Sequence, residues 1–127
     1  MAQYDSFGSY LEFIRKEKGR SLRETARAID VTATFYSKVE RGLKAPLTAE
    51  RIEAVARFLL LTDEEKDRLY DLAANWKGEL SLPEDCAEYA KQIPSAVEAL
   101  RVARGMGMGE SEWAQMVEDL KRRSGRS

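Results

Sequence analysis

Three observations predict an all-α fold for this chain of 127 residues. Apolar residues recur at i, i+3, i+4 and i+7 through nearly every segment. No stretch alternates apolar and polar residues as a strand does. Serines and threonines suited to N-caps, with glycines and prolines suited to stops, divide the chain at helical lengths. The predicted architecture is a bundle of four to five helices in residues 1–76, followed by about three further helices in residues 77–127.

In order along the chain, Phe7, Tyr10, Leu11 and Ile14 share one face of a first helix that stops near Gly19. Leu22, Ala26 and Ile29 give a shorter second helix with Ser21 as its N-cap. The bend "IDVT" leads into a third, capped by Thr32 and closed by Gly42. Pro46 blocks continuation, and Thr48 starts a fourth helix with Ile52, Val55, Ala56 and Leu59 on its inner face. Thr62 and Glu65 read as the capping box of a fifth, whose inner positions are Leu69, Leu72, Ala73 and Trp76. The pattern breaks around "KGELSLPED", and Pro83 fits the first turn of a sixth helix with the stripe Cys86, Tyr89, Ala90 and Ile93. Pro94 is expected to end it. A seventh helix over Ser95–Arg104 carries Val97, Leu100 and Ala103; "GMGMG" reads as a flexible hinge. The eighth carries Trp113, Met116, Val117 and Leu120, and the tail "KRRSGRS" is expected to fray. Cys86 is expected to be a small core residue, and Trp76, Trp113, Tyr89 and Met116 to pack in a core or a dimer interface.

Composition narrows the function classes. The chain is 43% hydrophobic and 34% charged, enough for a core under a soluble surface. Its longest apolar run, "FLLL", is too short to span a bilayer, and "MAQYDSFGSY" has no basic start followed by an apolar stretch, so a cytoplasmic protein without membrane attachment is expected. One cysteine and no histidine leave no internal disulfide, no Ser/His/Asp arrangement and no ordinary zinc site. No metal, cofactor or catalytic residue is assigned, and an enzyme is not expected. The net charge of −1 hides an asymmetry: residues 1–61 hold 11 Lys/Arg against 8 Asp/Glu, and Arg15–Lys44 hold 9 against 4. That local surplus suits a surface that contacts phosphates.

The stretch "VTATFYSKVERG" carries the functional signal. As a helix it places Thr34, Ser37, Lys38 and Arg41 in one polar stripe, with Tyr36 and Val39 pointing away. The second and third helices are each about two turns long and unstable alone, so they must pack on the first and fourth through Ala26, Ile29, Tyr36 and Val39. Burying those anchors turns the stripe outward, where it suits the major groove of DNA. Glu40 lies towards the anchored side and needs a partner; Arg15, next to Ile14, is placed to supply one.

The stretch "IRKEKGRSLRETARAIDVTATFYSKVERGLKAP" resembles the Xre-type helix-turn-helix family of lambdoid phage repressors and Cro proteins. Arg15, Ala26, Thr32, Glu40, Gly42 and Pro46 stand at the family's pattern positions, over roughly Phe7 to Leu61. The resemblance implies a lambda-repressor-like bundle that binds double-stranded operator DNA as a homodimer. It puts base reading on Ala33, Thr34 and Lys38 with Ser37 alongside, and phosphate contacts on Arg23, Arg41 and Lys44. The chain departs from the pattern at Leu22, where many members have glutamine, and at Asp30 in place of the turn glycine. Phe35 stands where a small residue is common; it extends the core or reaches a thymine methyl. Ala33 at the first reading position implies modest discrimination between sequences.

The function expected is a repressor that holds a pseudo-palindromic operator as a dimer, with helix 3 (33–41) in the major groove. The alternative is an antitoxin or other interaction module whose C-terminal helices, residues 79–123, bind a partner protein while DNA binding serves autoregulation.

Overall fold

The computed structural model describes residues 5–76 and 82–126. Eight α-helices follow one another among the described residues: α1 (Phe7–Glu17), α2 (Leu22–Ala28), α3 (Ala33–Glu40), α4 (Ala49–Leu59), α5 (Asp63–Ala74), α6 (Glu84–Gln92), α7 (Pro94–Met106) and α8 (Glu110–Ser124). No described residue lies in a strand, and no described helix is long and apolar enough to cross a membrane. Contacts divide the chain into two compact units, one up to Ala87 and one from Glu88.

Local chemistry sets the helix starts of the first unit. Ser6, Ser21, Thr32, Thr48 and Thr62 each accept a hydrogen bond from the backbone N–H three residues on. At Ser21 the exchange is reciprocal: its N–H donates to Glu24 at 2.8 Å while its hydroxyl accepts from the Glu24 N–H at 3.0 Å. Thr62 and Glu65 form the same box. The Ala49 N–H at the start of α4 finds a carboxylate acceptor in Glu84, at 3.0 Å. Gly19 and Gly42 take left-handed conformations just beyond α1 and α3. Asp30 does the same between α2 and α3, at φ 59°, a conformation aspartate tolerates better than most residues.

The core of this unit joins α1 to α5. Phe7, Leu11, Ile14, Ala26, Ile29, Tyr36, Val39, Leu47, Ile52, Val55, Leu59, Leu69 and Tyr70 are buried together. Burial of each large side chain contributes roughly 1.5–3 kcal/mol. That is how helices as short as α2 and α3 persist. α3 packs on α1 and α2, and α2 also packs on α4. The inner face expected for α4 is wholly buried. On α5 Leu69 is buried, but so is Tyr70, whose hydroxyl donates to Glu53 at 2.6 Å.

Several expectations for residues beyond 76 change. The pattern break expected over 77–85 lies mostly in 77–81, outside the described residues. Cys86 is exposed, not a core residue. Tyr89 and Ile93, expected on a packed stripe, are exposed too, and nothing in α6 is buried. Pro94 starts α7 instead of merely ending α6; its fixed φ and missing N–H suit a first helical turn equally well. The hinge shrinks, since α7 runs through Gly105 and ends at the left-handed Gly107. Most of the tail expected to fray is helical, as α8 continues to Ser124.

One contact fixes how closely α1 approaches α3. Gly8 is buried against the α3 carbonyls, and a Cβ built there would lie 2.6 Å from the Val39 oxygen and closer still to that of Glu40. Backbone cannot yield as a side-chain tip can. Gly8→Ala is therefore expected to destabilise the first unit by about 1–3 kcal/mol in urea unfolding, although alanine is the better helix former. Unchanged stability would mean that α1 can move off α3 freely.

Candidate nucleic-acid interface

α3 starts where Thr32 accepts from the Phe35 N–H at 3.0 Å. Inside, Tyr36 is 0% and Val39 1% exposed, so the helix has little freedom to roll about its axis. Its last residue is held from behind. Arg15 and Glu40 meet in a bidentate pair, Nε donating to Oε2 at 2.7 Å and Nη2 to Oε1 at 3.1 Å, with both side chains almost fully buried. Arg15 Nη1 also donates to the Arg20 carbonyl at 2.9 Å. The hydrogen bonds to Glu40 hold the Arg15 guanidinium pKa above its ordinary value against the opposing effect of burial.

Beside this pair lies an unsatisfied group. The Tyr36 hydroxyl is buried without a hydrogen-bond partner among the described residues. Burial, and secondarily the Glu40 charge, push its pKa far above the usual range, so it stays neutral.

The opposite edge of α3 is open. Thr34 is exposed, and Ala33, Ser37 and Lys38 are half-buried along the same side. Arg41 is exposed but lies just past the helix: α3 ends at Glu40, and Arg41 is its C-cap. The Leu43 N–H closes that end by donating to the Lys38 carbonyl at 2.8 Å. Lys44 is exposed in the following loop, and Arg23 in the first turn of α2. Phe35 packs against the core while its edge borders the outer surface.

The N-terminal end of α3 opens onto a cleft of about 690 Å³. Arg23, Arg27 and Arg51 line it together with Thr32, Ala33 and Asp30. None of these arginines has an ion-pair partner among the described residues. Arg27 and Arg51 were not singled out from the sequence. Arg27 follows Arg23 by four residues on α2, a spacing that could have flagged it. Arg51 reaches the cleft only because α4 packs on α2, which no local pattern reveals. Three arginines against one aspartate, gathered at one cleft with the positive end of a helix dipole, suit an anionic backbone.

Two substitutions separate the roles of the buried groups. Glu40→Ala leaves the Arg15 charge buried and uncompensated, and is expected to lower stability by about 3–5 kcal/mol in denaturant unfolding. Tyr36→Phe removes a hydroxyl that meets no hydrogen-bond partner among the described residues, so stability should hold or rise by up to about 1 kcal/mol. A large loss in Tyr36→Phe would reveal a hydrogen bond at that hydroxyl.

A sequence profile described as a helix-turn-helix domain matches residues 6–69. No curated protein and no solved structure matches the chain.

Proposed function

The chain belongs to the helix-turn-helix family, and on that premise we propose that it is a transcriptional repressor that grips a pseudo-palindromic operator in double-stranded DNA as a homodimer. The observation that carries the reading is the arrangement around α3: a helix pinned from behind by Tyr36, Val39 and the Arg15–Glu40 pair, with a polar edge in front. Three arginines at its N-terminal end have no ion-pair partner among the described residues.

In this reading α3 lies in the major groove. Lys38 donates to guanine O6 or N7, Thr34 and Ser37 meet base edges or a thymine methyl, and Ala33 gives an apolar contact with little discrimination. Arg23, Arg27 and Arg51 bind phosphates on one side of the groove, with Arg41 and Lys44 holding the backbone at the far end of α3. Base readout then rests on few groups, while affinity rests on many cations.

Selection of bound duplexes from a random pool tests the reading, and two related half-sites are the expected product. If no sequence is enriched and no salt-sensitive affinity is found, the reading fails. Lys38→Ala should weaken binding to the selected site by about 1–3 kcal/mol and relax one base position. Arg51→Ala should weaken binding to all duplexes alike and flatten the plot of log affinity against log salt by about one unit. Equal behaviour of the two variants would remove the division between base and phosphate contacts.

A further inference from the structure

The second unit leaves apolar surface uncovered along α7 and α8. On α8 the stripe Trp113, Met116, Val117 and Leu120 has helical spacing, yet Met116 and Val117 are each 45% exposed and Leu120 is 58% exposed. Nothing in α8 is fully buried. Trp113 and Met116 share a groove with Val102, Ala103, Met106 and Met108 from the α7 side. A pair of helices this short does not bury a stable core by itself, so the face calls for a cover.

The charges on α8 indicate what covers it. Its first turn is acidic, with Glu110 and Glu112, and its last turn is basic, with Lys121, Arg122 and Arg123. At about 100° per residue, Glu110 and Lys121 both flank one side of the apolar stripe, and Glu112 and Arg123 both flank the other. An antiparallel pair of helices related by a two-fold axis brings like flanks together. With that axis between Met116 and Val117, Trp113 opposes Leu120 of a second copy, while Met116 meets its Met116 on one flank and Val117 its Val117 on the other. In the same register Glu110 shares a flank with the second copy's Lys121, and Glu112 with its Arg123, each pair offset by about two residues and within reach of the long side chains. The two charged pairs thus straddle the centre of the apolar contact, one displaced to each side of it. A parallel pairing would set acidic end against acidic end and basic against basic.

We propose that α8 is the dimerisation helix, pairing antiparallel with α8 of a second copy of this chain, with Val102 and Met106 of α7 completing the contact. A standard interface covers about 800 Å² per partner, more than one 15-residue helix face offers, which is why the α7 edge takes part. The proposal supplies the dimer on which the operator reading rests, and it predicts association in the absence of DNA.

Sedimentation velocity of the full chain without DNA tests it by charge exchange. Glu110→Lys and Lys121→Glu should each weaken the dimer about tenfold, because the two-fold axis makes each substitution act on two contacts. The double exchange, Glu110→Lys with Lys121→Glu, should restore dimerisation to near the wild-type level. Leu120→Asp should give a monomer whose first unit unfolds as in the wild type. A monomeric wild type, or a double exchange no tighter than the single variants, would overturn the antiparallel pairing. Failures of the two readings look different. The Leu120→Asp monomer should still bind a single half-site through Lys38, whereas an intact dimer without DNA affinity would sink the operator reading and leave the α8 contact standing.

Discussion

The buried contact between Arg15 and Glu40 is the constraint on which the geometry of the first unit depends. Its two charges have been taken almost wholly out of water, which costs more than their attraction returns unless the alignment is good. Both carboxylate oxygens are engaged, and a third guanidinium donor meets the Arg20 carbonyl. A slide of α3 by one residue, or a small rotation, would leave a charge buried and unpaired. The pair therefore selects one register for α3 against α1. Gly8 acts in the same direction, since its missing side chain lets α1 settle onto the carbonyls at the end of α3.

A helix held so firmly from one side is free to be unconventional on the other. α3 spans eight residues, too few to be stable in water alone, and takes its stability from Tyr36 and Val39. Its outward edge therefore need not contribute to packing, and can carry hydroxyls and a lysine. The cations around it are gathered by tertiary structure: Arg23 and Arg27 from α2, Arg51 from α4, Arg41 and Lys44 from the chain after α3. A net charge of −1 for the whole chain hides this concentration entirely.

Much of the first unit was legible in the sequence because its determinants are local. Ser21, Thr32, Thr48 and Thr62 act on N–H groups three residues away, so a short stretch of sequence contains both cause and effect. The inward positions of α4 follow from spacing alone. What could not be read depends on distant partners. Gly8 looks like an ordinary glycine in a helix until the α3 carbonyls are placed against it. Tyr70 can be buried with its hydroxyl satisfied because Glu53, on another helix, accepts its hydrogen bond. Arg51 enters the cleft through packing of α4 on α2. The helices beyond residue 81 misled for a different reason: spacing identifies an apolar face but not whether the same chain covers it, and Cys86, Tyr89 and Leu120 sit on faces that the described residues leave exposed.

We propose that the edge of α3 opposite Tyr36 and Val39 is the surface that receives a duplex. Titration of the labelled full chain with duplex DNA, followed by backbone amide chemical shifts, addresses it most directly. The largest changes are predicted at Ala33 to Lys38 and around Arg23 and Arg51, with the amides of α8 little affected beyond their dimer positions. Shifts confined to the second unit, with α3 silent under saturating duplex, would contradict it.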